Sequence, residues 1–158
     1  DPGDFQKLVD LNLMGTVNCL AALLPSMLAR GHGRIAIVAS VAGYRGLPTS
    51  AAYGMTKAGL INLAEVLRVE LAPRGIVLQV VNPGFVRTPL TDRNAFPMPF
   101  LMEPEDAAEA FYKGLRSDRF EIAFPRRFVY IMKLLRILPA PLAFAVTKQL
   151  LPKDRPEE

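Results

Sequence analysis

Apolar residues recur along 4–30 at offsets of three and four: Phe5, Leu8, Leu11, Met14 (or Gly15), Leu20, Leu23, Leu24, Met27 and Leu28. A stripe of that period predicts one long helix, which Pro25 is expected to kink and Gly31-His32-Gly33 to stop. The pattern then changes to a continuous, partly β-branched run at 34–39, as in a strand buried on both faces. Residues 51–71 return to helical spacing, end at Pro73-Arg74-Gly75, and lead into a second run of buried-strand type at 76–81. Helix, strand, helix, strand with short connections predicts an α/β fold with a parallel sheet. An irregular stretch at 88–102, rich in Pro, Phe and Met, follows Asn82-Pro83-Gly84. Glu103-Pro104-Glu105-Asp106 then opens a third helix with acidic residues in its first turn, where the helix dipole favours them, and 120–124 alternates like a last strand. There is no internal repeat.

The chain has 158 residues, enough to bury roughly 70% of the surface that its unfolded form exposes. One Cys and one His exclude an internal disulfide framework and a Cys/His zinc site, so no metal site is assigned. Cys19 reads as a small apolar helix residue and His32 as a loop residue; the cytoplasm is the expected compartment. The chain opens Asp1-Pro2-Gly3, so its numbering is expected to begin inside a longer protein or after processing.

Charge divides the chain. Residues 1–125 carry 12 basic and 12 acidic side chains, whereas 126–158 carry seven and three, which accounts for the whole net charge of +4. A nucleic-acid footprint would be a broad basic face, and most of this chain is neutral, so a nucleic-acid partner is not expected. The boundaries read as 1–125 for the α/β part and 126–158 for a basic amphipathic helical tail. Charges and two prolines break 126–150 well short of the ~20 apolar residues that a membrane span needs. The tail is expected to pack on its own domain or another subunit, with peripheral membrane contact through 126–150 as the alternative.

In doubly wound sheets the ligand crevice lies beyond the C-terminal ends of the parallel strands. Ser40 stands at the end of the first strand, and Pro83-Gly84 with Thr88 follow the second, so two strand ends converge there. Tyr53 and Lys57 fall at i and i+4 near the start of the second helix and point from one face. That geometry suits proton transfer, because a free tyrosine, with a pKa near 10, is a poor base and an ammonium nearby stabilises its phenolate. Ser40 could hold a carbonyl or hydroxyl oxygen while Tyr53 gives or takes the proton. A Tyr-x-x-x-Lys pair alone is a weak signal, and the structural alternatives are a surface helix pair, a strand-end turn former at Ser40 and a local cap at Thr88.

The joint pattern is far more specific. Asn12-Leu13-Met14-Gly15, Ser40 thirteen residues before Tyr53, Lys57, and Asn82-Pro83-Gly84 with Thr88 resemble the short-chain dehydrogenase/reductase family in order and spacing over about residues 4–125. The resemblance implies the C-terminal part of a Rossmann-like doubly wound sheet and an NAD- or NADP-dependent oxidoreductase interconverting an alcohol and a ketone or aldehyde. It implies Tyr53 as acid/base, Ser40 orienting the reacting oxygen, and Lys57 supporting the phenolate and binding the nicotinamide ribose. Asn12 would support a proton-relay water, and Pro83, Gly84, Val86 and Thr88 would line the nicotinamide. It further implies a homodimer or homotetramer. The small-molecule carbonyl or alcohol substrate is expected to be apolar, from Leu90, Phe96, Met98, Phe100, Leu101 and Met102 in the 88–102 stretch.

The sequence departs from the family in one large respect. It contains no Gly-x-x-x-Gly-x-Gly loop and no Asn-Asn-Ala-Gly segment, the parts that seat a pyrophosphate at a helix N-terminus. The chain therefore reads as the C-terminal catalytic half of a longer enzyme, expected to be inactive alone and to leave an apolar strand edge open beside 34–39.

Three alternatives were weighed. A serine hydrolase fails because His32 lies at the wrong end of its strand, about 20 Å from Ser40 at roughly 3.3 Å per residue, and no Gly-x-Ser-x-Gly elbow is present. A sugar-nucleotide epimerase or dehydratase would need a larger substrate domain than the 70 residues after Thr88 allow. A non-catalytic association module built on helices 4–30 and 51–71 is the main alternative.

Overall fold

A computed structural model describes residues 1–89, 91–93 and 96–151. Leu90, one of the apolar residues of the 88–102 stretch, lies outside the described residues. Strands β1 (Gly33–Val38), β2 (Ile76–Pro83) and β3 (Glu121–Phe124) form a parallel sheet in that order. Gly33 pairs with Ile76 and Val38 with Val81; Val80 pairs with Glu121 and Pro83 with Phe124. The fold is the α/β class expected from the alternation, and β2 extends two residues further than its apolar run because Asn82 and Pro83 still pair with β3.

β2 is central, and its alternate residues enter two different cores. Ile76, Leu78 and Val80 face Leu60, Ile61 and Ala64 of α3 (Ala51–Leu71), whose bounds match the sequence expectation. Val81 faces the other way, with Ile122 and Phe124 of β3 and Ala107 of α4 (Pro104–Leu115). This two-sided burial is why the strand is apolar without alternation.

The N-terminal helix is less regular than its sequence stripe. It comprises α1 (Pro2–Leu8), a π-helical turn at Val9–Met14 and α2 (Gly15–Arg30), which Gly31 ends in the left-handed conformation at φ 72°. Pro25 sits inside α2 without ending it; the departure from α-helical hydrogen bonding falls at Val9–Met14 instead. By length and composition this 29-residue helix is apolar enough to cross a membrane. Here Leu20 enters the core beside α3, while Leu11, Met14, Val17 and Leu23 stay exposed, Leu11 at 73%.

Residues 126–150 form two helices, α5 (Arg126–Ile137) and α6 (Ala140–Lys148). Phe128, Val129, Met132 and Leu135 of α5 and Ala143 of α6 pack into the same core as Ile35, Leu60 and Leu78. The opposite face of α5, with Tyr130, Leu134 and Ile137, is exposed. The amphipathic pattern of the tail therefore packs one face on its own domain.

Candidate active site

β1 delivers Ser40 to the C-terminal edge of the sheet. Ser40 caps a single turn of 3-10 helix, Val41–Gly43, its Oγ accepting from the Ala42 amide at 3.1 Å. The same hydroxyl points at the Pro83 carbonyl, 3.4 Å away, which is long for an O–H···O bond. Ser40 is thus placed by its neighbours while its proton is only loosely committed.

The Ser40 turn is pressed against the start of α3. A Cβ built on Gly43 would lie 2.7 Å from the backbone carbon of Lys57, and one built on Gly54 would lie 3.4 Å from the Ala42 carbonyl oxygen. Two backbones therefore meet at van der Waals distance between the serine and the Tyr53–Lys57 face. Tyr53 is 39% exposed, and its hydroxyl has no hydrogen-bond partner among the described residues. Lys57 donates from Nζ to the Val38 carbonyl at 3.1 Å and lies 5.6 Å from the Tyr53 ring centroid. Burial lowers the Lys57 ammonium below the ordinary lysine value. The ammonium is held by the last residue of β1, next to the phenol that it would stabilise.

Asn12 reaches the same helix by another route. Its Nδ2 donates to Thr56 Oγ1 at 3.0 Å, and Thr56 Oγ1 donates to the Tyr53 carbonyl at 2.8 Å. The Asn12 carbonyl accepts from Thr16 Oγ1 at 2.8 Å. Asn12 lies in the π-helical turn, a feature that recurs at functional sites.

Pro83 ends β2, and Gly84 donates its amide to the Phe124 carbonyl at 2.7 Å. A Cβ there would meet Phe128 at 2.8 Å and Pro125 at 3.1 Å, so the chain passes through a gap that only glycine fits. Val86 bridges to Met102, with Arg87 donating to the Met102 carbonyl and Met102 to the Phe85 carbonyl. These bonds staple the base of the 88–102 excursion beside the site. Thr88 is engaged locally: its Oγ1 accepts from the Thr91 amide at 3.2 Å and lies 3.1 Å from Thr91 Oγ1. In this structure it caps the short turn Thr91–Arg93, the mundane role that its residue type also fits.

Four aromatic rings cluster beside the Gly84 turn. Phe85 and Phe128 stack at 5.5 Å, Phe100 stacks on Phe128 at 6.0 Å, and Phe96 tilts against Phe85 at 6.0 Å. Phe96 and Phe100 remain exposed at 49% and 42%. Phe128 belongs to α5, so the tail supplies part of this wall.

Sequence reasoning missed Gly43, Phe85 and Phe128. Nothing in the spacing marks them, because each owes its place to contacts between elements distant in sequence. Of the expected catalytic set, Lys57 lies beside Tyr53, the turn bearing Ser40 packs on the Lys57 backbone, and Asn12 reaches the same helix through Thr56.

Comparison with known proteins bears on the family of the chain. The family model for short chain dehydrogenase matches residues 1–96. An uncharacterized oxidoreductase of Myxococcus xanthus is 41% identical over 143 residues, covering 90% of this chain and 56% of that protein. A 3-oxoacyl-[acyl-carrier-protein] reductase of Synechocystis is 42% identical over 96 residues, covering 60% of this chain and 39% of that protein. A short chain dehydrogenase from Burkholderia cenocepacia, solved in complex with NADP, superimposes with a TM-score of 0.80 at 25% identity, covering 96% of this chain and 63% of that one. The chain spans only part of the length of each, and within that part it carries the Ser40, Tyr53 and Lys57 edge. The chain belongs to the short-chain dehydrogenase family.

Proposed function

We propose that the protein carrying this chain is an NAD(P)-dependent oxidoreductase that interconverts an alcohol and a ketone or aldehyde. The observation that carries the reading is the packing of the turn that bears Ser40, its hydroxyl loosely committed, against the start of α3, which bears a lysine fixed on Val38 and a tyrosine whose hydroxyl has no partner among the described residues. The donor set suits the nicotinamide-ribose half of such a cofactor: Lys57 and Tyr53 for the ribose, Pro83, Gly84 and Val86 for the nicotinamide side, and Thr88 if its hydroxyl leaves its local cap. NADP bound to the Burkholderia relative supports a nicotinamide cofactor. When bound, the nicotinamide supplies or accepts the hydride.

The chain's own residues handle the oxygen and its proton. Ser40 donates to the substrate oxygen and holds it within reach of Tyr53. Tyr53 gives its proton to that oxygen in reduction and takes it back in oxidation. The Lys57 ammonium favours the phenolate left behind. Asn12, bonded to Thr56, keeps the π-helical turn against α3 where a relay water would enter.

We place an apolar substrate against the Phe85, Phe96 and Phe100 rings, and a second subunit on the exposed apolar stripe of Leu11, Met14 and Val17. The association-module alternative gives no reason for the serine, tyrosine and lysine to share one edge.

The test is Tyr53→Phe in the protein that carries this chain. Positioned acid–base groups contribute about 10² to 10⁴ in rate, so turnover should fall by at least ~100-fold, whereas NAD(P) affinity by calorimetry should fall far less, because only one of the two ribose contacts is lost and Lys57 remains. Unchanged turnover would refute the mechanism. A panel of apolar and polar carbonyl compounds tests the substrate class, and better turnover of the polar ones would overturn that part.

A further inference from the structure

A second polar cluster lies behind Ser40. Glu121, the first residue of β3, receives three donors: Tyr44 Oη and Asn82 Nδ2 on Oε1, the latter at 2.8 Å, and Lys133 Nζ on Oε2. The donors come from the turn after β1, from β2 and from α5. Asn82 and Tyr44 are buried, and the Glu121 side chain is 24% exposed. Burial pushes the Glu121 carboxyl up, but the bonds from Lys133, Tyr44 and Asn82 outweigh it and hold it below the usual carboxylate range. Burial, reinforced by Glu121, pushes the Tyr44 phenol far upward, so it stays a neutral donor. Asn82 Oδ1 has no hydrogen-bond partner among the described residues.

Such a cluster is a poor way to gain stability. Buried ion pairs are often matched or bettered by apolar packing of the same volume, because desolvation offsets the attraction. Its position suggests what it does instead. Tyr44 closes the Val41–Gly43 turn, donating its amide to the Val41 carbonyl at 3.1 Å, and that turn is the one Ser40 caps. Asn82 immediately precedes Pro83, whose carbonyl faces the Ser40 hydroxyl. One carboxylate oxygen therefore ties down both chain segments that set the Ser40 side chain. Lys133 secures the other oxygen from α5 and lies 5.9 Å from the Tyr44 ring centroid.

We propose that Glu121 is a positioning residue for Ser40, fixing through Tyr44 and Asn82 the two backbone groups between which the serine hydroxyl is held. The proposal rests on the reading of Ser40 as the group that orients the reacting oxygen. Through Lys133 it also makes α5 part of the catalytic frame.

The experiment is a double-mutant cycle in the protein that carries this chain. Glu121→Gln keeps shape and one acceptor oxygen but removes the charge, and Tyr44→Phe removes one donor. Each is made in the wild-type and in the Ser40→Ala background, with kcat, KM, NAD(P) affinity and melting temperature measured for all. A shift of a few tenths of an ångström in a reacting geometry costs on the order of 10-fold. We expect Glu121→Gln to lower kcat about 10-fold with NAD(P) affinity unchanged, and Tyr44→Phe to do the same more weakly. In the Ser40→Ala background both losses should shrink to less than about 2-fold, because the residue that they position is gone. Losses that persist undiminished in that background would overturn the proposal, as would a lowered melting temperature with kcat unchanged. Wild-type kcat in both Glu121→Gln and Tyr44→Phe, alongside strongly lowered but measurable kcat in Tyr53→Phe and Ser40→Ala, would overturn this proposal alone. Wild-type turnover in Tyr53→Phe and Ser40→Ala would overturn the Ser-Tyr-Lys reading and this one with it.

Discussion

Gly43 is where catalytic geometry depends most directly on a missing side chain. A Cβ at this position would lie 2.7 Å from the Lys57 carbonyl carbon and 2.8 Å from both the Lys57 carbonyl oxygen and Ile61 Cδ1. Ile61 could rotate away, but Lys57 is backbone in the second turn of a 21-residue helix and cannot. Ordinary contact begins near 3.4 Å, so Gly43→Ala must drive the turn and the helix apart by about 0.7 Å. Ser40 rides on that turn; Tyr53 and Lys57 ride on that helix. A misplacement of 1 Å can cost about 100-fold in rate, so a loss of roughly 10- to 100-fold in kcat is expected. Overpacking of this kind costs about 1–3 kcal/mol in stability. Gly46→Ala is the control, because it lies in the same connection and its Cβ would meet nothing within 4 Å. The assay is steady-state turnover and thermal melting of both variants in the protein that carries this chain. A Gly43→Ala variant with kcat within 2-fold of wild type would refute the claim that this close approach sets the distance between the serine and the tyrosine.

Two further outcomes are expected. Gln79 is fully buried, and its Nε2 donates to the Gly114, Ser117 and Arg119 carbonyls while Oε1 accepts from Arg34. Gln79→Leu should therefore cost about 2–3 kcal/mol by denaturant unfolding, with kcat unchanged because its partners lie on Arg34 and the turn before β3 and none of them bonds Ser40, Tyr53 or Lys57; a lost kcat at equal stability would contradict it. Glu121 is held below the usual carboxylate range in the folded state, so it contributes stability above that range which is lost as pH falls through its folded value. The stability gap between wild type and Glu121→Gln should be full at neutral pH and close below about pH 4, near the ordinary carboxylate value and beneath; a gap independent of pH would show that the charge contributes nothing.

The parts of this fold that could be read from sequence are those set by local pattern. β1, β2 and α3 follow from apolar runs bounded by Gly31-His32-Gly33, Pro73-Arg74-Gly75 and Asn82-Pro83-Gly84, and β3 from the alternation at 120–124; of the three strands β2 alone is buried on both faces, whereas β1, expected to be, leaves Arg34 and Val38 exposed because no described element covers that face there. A strand end and an i, i+4 pair likewise place Ser40 at an edge and Tyr53 and Lys57 on one face, but it is their joint spacing, which resembles the short-chain dehydrogenase/reductase family, that singles them out. The π-helical turn at Val9–Met14 was not legible; Pro25 was the visible suspect, and the irregularity lies where Asn12 reaches across to Thr56. The apolar character of 126–150 was visible, whereas the stacking of Phe128 on Phe85 and Phe100 depends on how α5 folds back from β3.

The two polar groups of residues behind and in front of Ser40 differ in how the sequence encodes them, and that difference explains what was missed. Tyr53 and Lys57 lie four residues apart on one helix, so their encounter is fixed by helical geometry before any tertiary contact forms. Tyr44, Asn82, Glu121 and Lys133 lie on four separate segments and meet only after β2 and β3 have paired in the register Val80 to Glu121. A slip of that register by one residue would turn Glu121 to the opposite face of the sheet and leave Tyr44 and Asn82 without their acceptor. In the proposed mechanism the local pair supplies the chemistry, and the non-local cluster makes the geometry of Ser40 conditional on correct assembly of the sheet and α5. A serine framed in this way reaches its position only in the correctly paired fold.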